Sequence, residues 1–165
     1  MKRPKSETNP VGEAMAMALS AKSCHVSASR ALEGLDWKLA GIRPEGSQHT
    51  ISQLLAHMTY WQDWAIRWLE GKNPGLPKHA SLGWQKKLGP GNAKGWKGTV
   101  GDFERGLSRL TVMSNKGDML EKCGKWTRLE IFRVIAQHNS YHIGQIVLTL
   151  TVLGAWPPPS GGDTW

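Results

Sequence analysis

The feature that most constrains this chain is the run from Thr127 to Leu153, with the pentad His138-Asn139-Ser140-Tyr141-His142 inside it. Residues four apart share one face of an α-helix, about one turn (~5.4 Å) above each other. Ile131, Ile135, His138, His142, Gln145 and Thr149 follow in steps of three and four, the pattern of a helix seam facing a bundle core. Both imidazoles are therefore expected to point inward as half of a metal site. The other half has to come from another helix.

A second helix offers it. Thr50-Ile51-Ser52-Gln53 reads as a capping box, with the glutamine placed to reach back to the cap. The helix it opens is expected to run to Leu69-Glu70 and to stop at Gly71, with Pro74 beyond. Its inner stripe is Leu54, His57, Trp61, Trp64 and Trp68, which makes His57 the third candidate ligand. Neighbouring bundle helices lie about 8–10 Å apart, a gap that three imidazoles close on one ion at about 2.0–2.1 Å each. Three protein ligands leave a position for water or substrate, the arrangement of a catalytic site. Imidazole suits Zn, Ni, Fe or Cu. The alternative is three core histidines, each satisfying a carbonyl or a neighbouring side chain. The pentad has the ligand spacing of the zincin helix, but Asn139 stands where the catalytic glutamate belongs, which argues against a metalloprotease. Asn139 and Tyr141 are expected to face away from the ion, and no carboxylate occupies either seam near the histidines.

The remaining chain predicts two further helices. Val11 to Trp37 reads as one interrupted first helix, broken near Ser23-Cys24-His25, and residues 41–46 as a loop. Gly71 to Gly98 holds seven glycines, Pro74, Pro77 and Pro90, together with Trp84 and Trp96. A connection of this length is expected to cover something. Thr99 is expected to cap a third helix, Val100 to about Met119, with Phe103, Leu107, Leu110 and Met113 or Ser114 inward. A turn region, Asn115 to Lys125, precedes the fourth helix, Arg128 to Leu153, which Gly154 closes. With no strand pattern, these elements predict an all-α four-helix bundle with a long crossover between helices 2 and 3. It is read as one domain over residues 1–165, flexible at 1–10, with the Pro/Gly-rich tail 155–165 packed onto the body.

Charge and cysteine usage narrow the setting. The net charge is +8, and Gly71 to Arg128 holds twelve of the 21 basic residues against four of the 13 acids. The excess therefore lies in one segment, where the lysines are scattered among glycines and accompany no nucleic-acid-binding signature; a solvated basic loop is the expectation, and a nucleic-acid partner is not. Cys24 and Cys123 form no C-x-x-C pair, and the apolar run behind the basic N-terminus is too short for a signal peptide. A soluble, cytoplasmic protein without a membrane partner is expected.

Three stretches together resemble the DinB/YfiT-like family. They are Thr50-Ile51-x-x-Leu54-Leu55-x-His57-Met58 with Trp61, then His138-Asn139-Ser140-Tyr141-His142-Ile143-Gly144-Gln145-Ile146, then the tail from Gly154-Ala155-Trp156-Pro157-Pro158-Pro159 to Ser160-Gly161-Gly162-Asp163-Thr164-Trp165. The resemblance implies a four-helix bundle holding one divalent ion, nickel or zinc most often and iron as a further choice, on His57, His138 and His142. It also implies a homodimer. Characterised relatives are thiol-dependent S-transferases using low-molecular-weight thiols such as bacillithiol or mycothiol, or related isomerases. The expected function is accordingly transfer of a thiol to a small electrophile, with Trp61, Trp64 and Trp68 as apolar pocket walls. Metal-dependent hydrolysis, with Asp163 as proton acceptor, is the alternative, and a non-catalytic metal- or ligand-binding stress protein is a third class. The sequence departs from its relatives at Ser23-Cys24-His25-Val26, where they carry Trp-His-Gly-Pro. His25 is retained, either as a residue of the site mouth or as a local capping or surface histidine.

Overall fold

The structure is a computed structural model that describes residues 9–22 and 24–162. Four long helices make up its body: α1 (Pro10–Ser20), α4 (Ile51–Leu69), α5 (Ala93–Ser114) and α6 (Arg128–Val152). Two single-turn helices, α2 (Ala28–Ala31) and α3 (Trp37–Ala40), fill the connection from α1 to α4. Both α1 and α4 pack on α5 and α6, which gives a mostly helical four-helix bundle. Among the described residues no helix is long and apolar enough to cross a membrane.

The two helices that carry the histidines start on reciprocal caps. Gln53 N–H donates to Thr50 Oγ1 and Thr50 N–H to Gln53 Oε1, both at 3.1 Å. Thr127 and Glu130 repeat the pattern at the start of α6, with Thr127 N–H to Glu130 Oε2 at 2.6 Å. Each pair satisfies donors that the first turn of a helix otherwise leaves orphaned.

Three expectations need correction. The third helix begins seven residues before Val100, at Ala93, with Asn92 rather than Thr99 as its cap: the Asn92 side chain accepts from Gly95 N–H at 2.9 Å. Gly95 and Gly98 weaken this first stretch as an isolated helix. Trp96 overrides them, because it is buried and its indole N–H donates to Leu35 O at 2.8 Å. The same helix ends at Ser114, and Met119 is a core residue beyond it. Thirdly, the turn region before α6 holds a two-stranded hairpin, β1 (Lys122–Cys123) and β2 (Trp126–Thr127), with Cys123 opposite Trp126. Gly124, at φ 63°, takes the first position of its two-residue turn, where a side chain is disfavoured and where a Cβ would lie 2.4 Å from the Trp68 ring.

The apolar interior falls into two parts. One gathers Leu54, Leu55, Met58, Phe103, Ile143, Ile146 and Leu150; the other gathers Trp64, Trp68, Leu110, Phe132 and Ile135. Along α4 and α6 the junction between them is polar and contains the three histidines, Gln62 and Asn139. Asn139, expected to face away from the ion, lies inside the protein all the same. It is 2% exposed, and like Gln62 it has side-chain polar atoms with no partner among the described residues.

The long connection is a strap laid back along α4. As its own numbers rise, those of its α4 partners fall: Gly75 O accepts from Trp64, Gly83 O from His57, Gln85 O from Gln53, and Leu88 O from the Thr50 hydroxyl. Gly89 passes so near Gly41 that a Cβ on it would lie 2.7 Å from Gly41 Cα. The strap thus ties α4 to the loop that precedes it. Beyond α6, the tail returns to α2, with Arg30 donating to Gly161 O and Ser160 O and Glu33 accepting from Ser160.

Thr50 serves both the cap and the strap while fully buried. Thr50→Ala is expected to cost about 1–2 kcal/mol, read as a lower urea midpoint at unchanged slope. An unchanged midpoint would show that neither contact contributes to stability.

Candidate metal centre

The helices bring the three predicted ligands together. His57 comes from α4, and His138 and His142 from successive turns of α6. Their ligand nitrogens all lie within 4.8 Å of one another. His138 Nε2 is 3.2 Å from His57 Nε2 and 3.1 Å from His142 Nε2. Nitrogens held tetrahedrally at about 2.0–2.1 Å from one ion lie about 3.3 Å apart, so the spacing fits an ion.

The partners of the other ring nitrogens fix which atoms face the centre. His57 Nδ1–H donates to Gly83 O at 2.8 Å, and His142 Nδ1–H donates to Gln145 Oε1 at 2.6 Å. Gln145 is itself held, its Nε2 donating to Tyr141 Oη at 3.2 Å. Both rings are thereby fixed in the tautomer that leaves Nε2 a bare lone pair. Between two such lone pairs, the single proton His138 can place on Nε2 cannot serve both fully. Its Nδ1 is buried with no partner among the described residues. One cation satisfies all three Nε2 lone pairs at once, and the Nδ1 contacts are the outer contacts that orient metal-binding histidines.

Burial keeps the cluster uncharged. It drives the His57 pKa down to about 4, with His142 and His49 adding repulsion against the Gly83 hydrogen bond. It drives His138 down to about 3, helped by the charges His142 and His57 would carry, and it lowers His142 too. Neutral imidazole is the form that binds metal.

Aromatic rings enclose the centre. Trp84, on the strap, stacks on the His57 ring at 3.7 Å between centroids and 5° between planes. Trp61 stands edge-on to His57 and His138. Tyr141 is largely exposed, yet its ring meets His142 at 5.0 Å, so it does not turn wholly away from the site. Trp61 and Trp64 line a recess of only about 30 Å³ against His138. Trp68 belongs to the apolar core beside Gly124. A far larger cavity, about 450 Å³, lies on the other side, between residues 44–49 and the second half of α6. Gln145 and His49 form part of its wall.

The other two pocket candidates lie apart from this cluster. His25 receives the Ser140 hydroxyl at Nε2, 2.8 Å away, and its Nδ1–H donates to Val26 O. Ser140 sits on the side of α6 opposite His138 and His142, so His25 ties the α1–α2 connection to α6 locally. Asp163 lies outside the described residues. The sequence reading missed His49 and the contact of Trp84 with His57. Its one available signal was the length of the strap.

Comparison with known proteins agrees with this geometry. A sequence model of the DinB superfamily matches residues 25–146. The chain belongs to the DinB superfamily. The matched span contains all three histidines, and a buried tri-histidine group in this family fits a metal-binding protein. Curated proteins and solved structures give no significant match.

Two outcomes follow. In metal-free protein the unfolded chain takes up protons near pH 6.5, the ordinary histidine value, while folded His57 and His138 resist until about pH 4 and 3. The contribution of these histidines to stability should be constant above pH 7, fall as pH drops from 6.5 towards 3–4, and level off below. His138→Gln should make that fall shallower in thermal unfolding scans; an unchanged slope would deny the depressed pKa. Gln145→Leu should weaken zinc binding about 10–100-fold by calorimetry without unfolding the protein.

Proposed function

We propose that the protein is a metal-dependent enzyme that transfers a small thiol to a small electrophile. The observation carrying this reading is the inward convergence of three Nε2 lone pairs, with outward nitrogens already committed, beside a cavity of about 450 Å³. Zinc or nickel is the favoured ion, with iron as a further choice, because imidazole serves each of them. When bound, such an ion supplies Lewis-acid activation of a thiol S–H and stabilises the anion that results.

The chain's own residues provide the rest. His57, His138 and His142 hold the ion as neutral ligands and therefore leave its charge uncompensated, which favours an anionic guest. Gly83 O and Gln145 keep two of the rings aimed. Trp84 and Trp61 shield the ligand rings from water. The cavity wall combines apolar Leu54, Leu148 and Val152 with polar Gln48, His49 and Thr149, a lining suited to a compact organic molecule. Membership in the DinB superfamily supports the metal half of the reading.

Zinc- or nickel-loaded protein is expected to accelerate reaction of 2-mercaptoethanol or cysteine with 1-chloro-2,4-dinitrobenzene. His57→Ala should lose the ion and the acceleration together. A loaded protein that hydrolyses activated esters but transfers no thiol from a panel of small thiols to a panel of electrophiles would replace transfer with hydrolysis. One that does neither would leave a metal-binding protein.

A further inference from the structure

Among the described residues, the ligand cluster itself offers no group to carry protons. No carboxylate stands in either histidine seam, and His57, His138 and His142 are engaged as ligands. A fourth histidine has the position for that task. His49 immediately precedes Thr50, the cap of α4, so the capping box fixes where its backbone stands. The hydroxyl of Ser47 donates to His49 O at 2.9 Å and tightens the same turn. Its ring stacks on Trp84 at 3.6 Å and 8°, on the face opposite the one His57 occupies. The two imidazoles are one indole thickness apart.

Three further observations bear on His49. It lines the 450 Å³ cavity, whose wall also includes Gln145, the residue that orients His142. Its ring makes no hydrogen bond among the described residues, unlike the rings of His25, His57 and His142, so both nitrogens are available to a guest. The stack holds the ring in one plane without using either nitrogen, which leaves it oriented but chemically free. Glu45, the other titratable group lining the cavity, is exposed on the loop and has no comparable fixture.

We infer that His49 is the proton-transfer residue of this site, contacting a thiol substrate seated in the cavity between residues 44–49 and α6. The inference rests on the thiol-transfer reading. The thiol S–H proton passes to a His49 ring nitrogen. The sulfur electron pair forms the new bond to the electrophilic carbon as that carbon's bond to its leaving group breaks, the bonding pair departing with the leaving group. The imidazolium gives the proton to a basic leaving group, or to water where the leaving group departs as chloride, so His49 ends as it began. A neutral resting ring is required for this, and burial, together with the nearby Arg43 charge, lowers the His49 pKa from its usual value. The other charged or titratable groups facing it are Glu45 on its own loop, His57 on α4 and His142 on α6.

The test uses zinc-loaded full-length protein, with His49→Gln and His49→Ala beside it. Both variants should keep the wild-type zinc content, because His49 is not a ligand. Transfer from 2-mercaptoethanol to 1-chloro-2,4-dinitrobenzene should fall at least tenfold. The wild-type rate should rise with pH through a midpoint below 6.5 over a range in which zinc content stays constant, and the variants should lose that limb. Independently of turnover, the His49 ring resonance should shift on adding 2-mercaptoethanol, while that of His79, on the strap, should not. Variants that transfer at the wild-type rate with the same pH profile overturn the role of His49 alone. So does a His49 resonance that stays still while calorimetry shows the thiol binding. Wild-type protein that neither binds nor transfers thiol overturns the thiol-transfer reading and the proton-transfer role with it.

Discussion

The site depends on where two protons are. His57 and His142 each place an Nδ1 proton on a fixed oxygen, Gly83 O and Gln145 Oε1, and this leaves two Nε2 lone pairs pointing at one small volume. Without those acceptors the rings would be free to flip or change tautomer, and the cluster would be a group of buried histidines with no common direction. With them, the third ring, His138, meets two lone pairs at close range and has no partner for its own Nδ1 among the described residues. Buried polar atoms left unpaired cost about 1–3 kcal/mol each. A cation at the centre relieves that arrangement, so metal binding and stability are coupled through the same nitrogens.

One of the two acceptors belongs to a helix and the other does not. Gln145 lies one turn along α6 from His142, so helical geometry alone provides it. Gly83 O belongs to the strap, and its position follows from the antiparallel path of the strap along α4. That path is fixed by backbone carbonyls meeting Trp64, Gln53 and Thr50, and by the close passage of Gly89 over Gly41. The same strap delivers Trp84 between His57 and His49. A long, glycine-rich and nearly helix-free segment is therefore the part of the fold that gives the centre its outer wall.

Much of this was legible in the sequence, for physical reasons that differ by element. The seams of α4 and α6 could be read because helical periodicity translates directly into a shared face, and the capping box at Thr50 marked where α4 begins. The three ligands followed from those seams. The start of α5 could not be read from local rules, since Gly95 and Gly98 argue against helix and only the burial of Trp96 against the α2–α3 region restores it. The burial of Asn139 was not read because the apolar stripe of α6 is broader than the narrow seam through the histidines, running from Ile135 and Ala136 through Asn139 to Ile143 and Ile146. His49 was out of reach for a different reason. Its contact with the site passes through Trp84, a residue 35 positions further along in a segment without periodicity.

The most direct test of the account is X-ray absorption on zinc-loaded protein, combined with the metal content of wild type and His138→Ala. The expected result is one zinc per chain in wild type, a first shell containing three histidine nitrogens at about 2.0–2.1 Å, and loss of the ion in the variant. No uptake of zinc, nickel or iron by the folded protein, or an ion that survives His138→Ala with its first shell unchanged, would contradict it.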